Sequence, residues 1–132
     1  MSKRILVLDD RANLLALLRM VLEEENYDVS VLQQGRGAVE RIRENPPDLI
    51  ILDLRLADAS GLDILESLRA QDATSDIPVI IYTAAVIEAE SVTNLIASNP
   101  TRYTNVSVLQ KPSELDDLLN RVQNAFATAE AN

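Results

Sequence analysis

Leu49-Ile50-Ile51-Leu52-Asp53, preceded by Pro46-Pro47-Asp48, is the stretch whose reading decides the fold. Four apolar residues in succession, ended by a carboxylate, describe a short strand buried on both faces; a strand with one wet face would alternate. Such a strand needs helices on both sides of its sheet. The pattern recurs as Ile5-Leu6-Val7-Leu8 before Asp9-Asp10, and as Val79-Ile80-Ile81-Tyr82 between Pro78 and Thr83. Val29 to Leu32 and Val106 to Leu109 are strands of the same length but more polar. Between them run helical spacings. Leu14, Leu17, Leu18, Val21 and Leu22 recur at intervals of three and four. Gly35 opens a second helix carrying Val39 and Ile42, which must end before Pro46-Pro47. Ile64, Leu65 and Leu68 mark a third, and Glu88 to Ser98 a fourth. The fifth begins at Ser113, with Asp116 as a near match to a capping box, and buries Leu115, Leu118, Leu119, Val122 and Phe126.

Five β-α units in succession predict an α/β fold, a (βα)5 doubly wound sandwich with a five-stranded parallel sheet. The most apolar strands, the first, third and fourth, belong in the centre, and the polar second strand belongs at an edge. The order is therefore 2-1-3-4-5. The 132 residues form one domain by length, residues 1–132.

Composition removes whole classes of chemistry. There is no cysteine, hence no disulfide or thiolate, and no histidine, hence no Ser-His-Asp catalysis and no typical zinc site. Acidic side chains number 21 against 12 basic ones, a net charge of −9, which argues against direct contact with nucleic acid or an anionic membrane. Met1-Ser2-Lys3-Arg4 is followed by only four apolar residues, too few for a signal peptide or a membrane span, so a cytoplasmic location is expected.

In a sheet of this order the site lies beyond the carboxyl ends of strands one and three, where the winding reverses. Asp9 and Asp10 end the first strand and Asp53 the third; Thr83 ends the fourth and Lys111 the fifth. Two like charges about 4 Å apart cost on the order of 4 kcal/mol at an effective dielectric near 20. One lysine does not neutralise three carboxylates. Hard oxygen donors of this kind suit Mg²⁺. A lone aspartate beside a metal, a lysine and a hydroxyl can attack phosphorus and become an aspartyl phosphate. Asp53, alone at its strand end, is the better nucleophile; Asp9 and Asp10 are the better metal anchors.

Taken in order, Leu8-Asp9-Asp10, Ile51-Leu52-Asp53-Leu54-Arg55-Leu56 with Gly61 eight residues after Asp53, Thr83-Ala84 and Lys111-Pro112 make the whole chain resemble the CheY-like receiver domain of two-component response regulators. The resemblance implies that Asp53 accepts a phosphoryl group from a sensor histidine kinase or a phosphotransfer protein. It implies Mg²⁺ on Asp9, Asp10, Asp53 and the backbone carbonyl of Arg55. Thr83 would swing onto one phosphoryl oxygen and Lys111 would pair with another. It further implies a switch, not a conventional enzyme, that signals to a downstream protein and can form a homodimer through its fourth helix, fifth strand and fifth helix.

Three positions depart from the family pattern. Ala57 stands where the loop after the phosphoacceptor usually carries proline. Val108 stands where an aromatic usually couples to the switch threonine. Thr83 and Lys111 are 28 residues apart, a longer interval than usual, with residues 99–105 leading into strand five. An altered fourth helix or an extended loop is expected there, with a readout that does not use threonine-aromatic coupling. Arg55 and Ala85 flank the path of attacking water in the family, and a bulky, charged Arg55 implies slow hydrolysis. The alternative reading is a phosphorylation-independent docking or dimerisation module on the same fold. No output domain fits within the chain after the last helix, so it acts alone or was cut from a longer regulator.

Overall fold

The three apolar runs become the three central strands. In a computed structural model that describes residues 2–131, β1 (Arg4–Leu8), β2 (Asp28–Leu32), β3 (Leu49–Leu52), β4 (Val79–Thr83) and β5 (Val106–Gln110) form one parallel sheet in the order β2-β1-β3-β4-β5. Met1 and Asn132, the ends of the expected domain, lie outside the described residues. Leu8 pairs with Leu52 and Leu52 with Ile81, so the residues that follow these strands emerge side by side.

Because successive side chains of a strand point to opposite faces, the apolar runs feed two cores. Leu6, Leu8, Ile50, Leu52, Val79 and Ile81 face the helices α2 (Ala38–Glu44), α3 (Gly61–Arg69) and α4 (Val86–Ser98). Ile5, Val7, Leu49, Ile51, Ile80 and Tyr82 face α1 (Ala12–Glu24) and α5 (Leu115–Ala131). Fully burying one such side chain contributes about 1.5–3 kcal/mol, and all of β3 and β4 is buried. The strand ends are therefore a rigid platform.

Several helix starts differ from the sequence reading, each for a local reason. α2 begins at Ala38, not Gly35, because Gly37 is left-handed (φ 78°) and stands outside the helix. α4 begins at Val86, ahead of Glu88. Its first two residues, Val86 and Ile87, are apolar but exposed, so they break the amphipathic pattern. α5 begins at Leu115, and the Ser113 hydroxyl is buried without a hydrogen-bond partner, so the expected capping box does not form.

Residues 99–105 fold into a compact turn between α4 and β5. The Tyr103 ring is buried in the α2–α4 core, and the Thr104 hydroxyl donates to the carbonyls of Pro100 and Thr101. Arg69, only 5% exposed, donates to the carbonyls of Thr74, Ile77 and Thr104, tying this turn to the α3–β4 loop. Burial lowers the pKa of its guanidinium, which remains charged.

Candidate functional site

The carboxyl ends of the strands bring the candidate residues together. One oxygen each from Asp9, Asp10 and Asp53 lies within 4.8 Å of the others. Lys111 Nζ lies 2.7 Å from Asp9 Oδ2 and 3.2 Å from Asp53 Oδ2. The Thr83 hydroxyl donates to Asp53 Oδ1 at 2.6 Å. Asp10, Asp53, Thr83 and Lys111 open on a cleft of about 220 Å³, which Arg11 and Arg55 also line, with Asp9 buried behind it.

Burial separates the three carboxylates by role. Asp9 is 2% exposed and both its oxygens are engaged, Oδ2 by Lys111 and Oδ1 by the Arg11 N–H at 2.9 Å. It is placed to orient the lysine. Asp53 is 7% exposed, yet it receives Thr83, Lys111 and the Arg55 N–H at 3.2 Å. Asp10 is half-buried, and its backbone carbonyl accepts from the Gln33 side chain. Three carboxylates against one ammonium leave a net charge of −2 in a mostly buried pocket, a hard-oxygen donor set that a divalent cation fits.

The local sequence explains this precision. Asp53 N–H donates to the Leu8 carbonyl, and Lys111 N–H to the Thr83 carbonyl at 2.8 Å, so the sheet's hydrogen bonds continue one residue past the strands. Gly61 lets α3 start against the backbone of Asp53 and Leu54, where a Cβ would overlap both. The Thr83 hydroxyl also accepts the Ala85 N–H at 3.1 Å, linking Asp53 to the start of α4. The hydroxyl faces Asp53.

Other residues at the site escaped the sequence reading. Asp58 accepts the N–H groups of Gly35 and Arg36 at 2.9 and 3.0 Å, fixing the loop after β3 although proline is absent at Ala57. Those bonds hold its carboxyl below the usual carboxylate range. Lys111 Nζ sits 5.2 Å from the Tyr82 ring centre, a cation–π contact. The Arg55 guanidinium meets Glu88 in the first turn of α4, Nη2 to Oε1 at 3.3 Å. Each pairing joins segments far apart in sequence, and only the tendency of strand ends to converge hinted at them.

Comparison with known proteins gives a consistent result. The family profile described as "Response regulator receiver domain" matches residues 5–123. The chain is 36% identical over 123 residues to the DNA-binding response regulator MtrA of Mycolicibacterium paratuberculosis, covering 93% of this chain and 51% of that protein. It is 34% identical over 124 residues to the regulatory protein LuxO of Vibrio vulnificus, covering 93% of this chain and 25% of LuxO. It thus spans about half of one of these curated relatives and a quarter of the other. A crystal structure of the signal receiver domain of a putative LuxO repressor from Vibrio parahaemolyticus superposes with a TM-score of 0.81 at 32% identity, over 99% of this chain and 95% of that one. The chemotaxis protein CheY4 of Vibrio cholerae, at 19% identity and a TM-score of 0.78 over 95% and 99% of the two chains, shares the fold. No helix among the described residues is long and apolar enough to cross a membrane. With its strand order, its acidic cleft and the profile covering nearly all its length, the chain belongs to the response regulator receiver domain family.

Proposed function

We propose that Asp53 is the acceptor of a phosphoryl group delivered by a phosphohistidine of a sensor histidine kinase or phosphotransfer protein. Having no histidine, the chain depends on a partner for that donor. The observation that carries the reading is the convergence on one buried carboxylate of a hydroxyl, an ammonium and two further carboxylates. A carboxylate oxygen of Asp53 attacks phosphorus, a P–O bond forms, the P–N bond breaks and the imidazole leaves with its electron pair. Lys111 and the Thr83 hydroxyl hold the charge that develops on the phosphoryl oxygens. The donor set suits Mg²⁺, which Asp9, Asp10, Asp53 and the Arg55 carbonyl would hold. Bound there, Mg²⁺ would neutralise phosphoryl charge. Hydrolysis of the acyl phosphate resets the switch, and residues 1–132 act as one signalling unit toward a downstream protein in the cytoplasm.

The test is incubation with acetyl phosphate and Mg²⁺ followed by intact mass. A gain of one phosphoryl group that disappears in Asp53→Asn supports the reading. No gain, with a competent kinase also supplied, replaces it with the phosphorylation-independent docking module.

A further inference from the structure

The ion pair between Arg55 and Glu88 ties a residue of the acidic cleft to the first turn of α4. Arg55 follows β3 by three residues and lines the cleft that holds Asp53 and Lys111. Its guanidinium reaches Glu88 Oε1 through Nε at 3.4 Å and Nη2 at 3.3 Å, and Oε2 through Nη2 at 3.4 Å. Its own backbone N–H is already on Asp53 Oδ1. The guanidinium is therefore tethered within the length of one arginine side chain of the acceptor, yet is bound to the first turn of α4.

Charge makes this arrangement exchangeable. Replacing the Asp53 carboxylate by its dianionic acyl phosphate takes the pocket from −2 to −3, and a divalent cation returns it only to −1. One positive charge is still wanted; Arg11 and Arg55 both line the cleft, and Arg55 is the one only two residues beyond the acceptor, with its backbone N–H already on Asp53 Oδ1. The Arg55–Glu88 pair is weak, with side chains 70% and 36% exposed, and exposed pairs contribute little. Glu88 loses little when left alone, because it lies in the first turn of α4, where the helix dipole favours a carboxylate. A guanidinium fork on a phosphoryl group is the stronger partnership.

Resting on the reading of Asp53 as phosphoacceptor, we propose that Arg55 is a second cationic ligand of the phosphoryl group, held on Glu88 until that group arrives. Its transfer frees Glu88 and unties the β3–α3 loop from the first turn of α4.

The test compares wild type, Arg55→Gln, Glu88→Gln and the double variant, all of which keep the backbone carbonyl at position 55. Affinity for beryllofluoride, a phosphoryl mimic, is measured with Mg²⁺ present, and the amide resonances of α4 are followed by NMR. Arg55→Gln should weaken binding about tenfold, and Glu88→Gln, which releases the guanidinium, should strengthen it about threefold. In the Arg55→Gln background the Glu88 substitution should have no effect. The amide resonance of Glu88 should shift further on binding in wild type than in Arg55→Gln, where only the Thr83 link to α4 remains. Equal affinities in all four proteins, or a Glu88→Gln effect that survives without Arg55, overturn the proposal while leaving phosphorylation of Asp53 standing. A wild type that gains neither beryllofluoride nor phosphoryl mass overturns both.

Discussion

Replacing Gly61 by alanine should damage the fold and the chemistry together. A Cβ at this position would lie 2.6 Å from Leu54 Cα and closer still to the Asp53 carbonyl oxygen. Both are backbone atoms at the end of a fully buried strand, so no flexible side chain can give way. The N-terminus of α3 must retreat, straining the bond from Gly61 N–H to the Leu54 carbonyl at 2.9 Å. Overpacking costs about 1–3 kcal/mol where side chains adapt, and a backbone clash belongs at the upper end. At roughly 3–4 °C per kcal/mol, the melting temperature should fall by about 10 °C. The clash pushes on the peptide of Asp53 itself, and a displacement near 1 Å at a reacting centre costs on the order of a hundredfold in rate. Phosphorylation by acetyl phosphate, followed by intact mass well below the melting temperature, should slow accordingly. Gly37→Ala is the control. Nothing lies within 4 Å of its Cβ, but φ is +78°, so it should cost about 1–2 kcal/mol and leave phosphorylation unchanged. If Gly61→Ala melts no lower than Gly37→Ala and is phosphorylated at the wild-type rate, the close approach of α3 does not position Asp53.

Three further substitutions probe the rest of the design. Asp10→Asn removes one of three like charges from a part-exposed position; it should stabilise the protein by about 1 kcal/mol in chelator and abolish the rise in melting temperature on adding Mg²⁺, both read by calorimetry. Asp58 has its pKa held down by the Gly35 and Arg36 N–H groups. Its stabilisation is complete above the ordinary aspartate value of 3.8 and is lost as pH falls through the lower folded-state value. Urea midpoints of Asp58→Asn should lie below wild type at pH 7 and converge with it as acid protonates Asp58. Arg69→Met leaves two buried carbonyls and one part-buried carbonyl without their shared donor and should cost about 3 kcal/mol in urea denaturation, and Arg69→Lys, lacking the planar fork, should recover only part.

The fold was legible because three strands are apolar on every residue, a pattern that only a sheet covered on both faces explains. Polarity then sorted edge from centre, and Val29 to Leu32 did lie at an edge. Element starts were less legible where the first residues break their own pattern. Val86 and Ile87 are helical but exposed, and Ser113, a favourable capping residue, lies two residues ahead of the helix start at Leu115. At the site, Asp9, Asp10, Asp53, Thr83 and Lys111 were legible since each ends a strand. Asp58 and Glu88 were not, because each acts on a loop or helix start that no periodicity places.

The links from Asp53 into α4 bear on how a signal leaves the site. Val108 packs against the α2–α4 core and has no ring to reorient. Tyr82 lies on the opposite face of the sheet beneath Lys111, and Tyr103 is fixed in the core below the turn at residues 99–105. A ring-flip readout therefore lacks its moving part at these positions. Two polar links remain from the neighbourhood of Asp53 to α4: the Thr83 hydroxyl, shared between Asp53 Oδ1 and the Ala85 N–H, and the Arg55–Glu88 pair. They bracket Val86 and Ile87, which are 62% and 73% exposed and so are held by little apolar packing. Weakly packed segments open at low free-energy cost, whereas the β3 and β4 strand ends do not. A change of charge at Asp53 would thus be absorbed at the first turn of α4, through hydrogen bonds and an ion pair, with the sheet left in place.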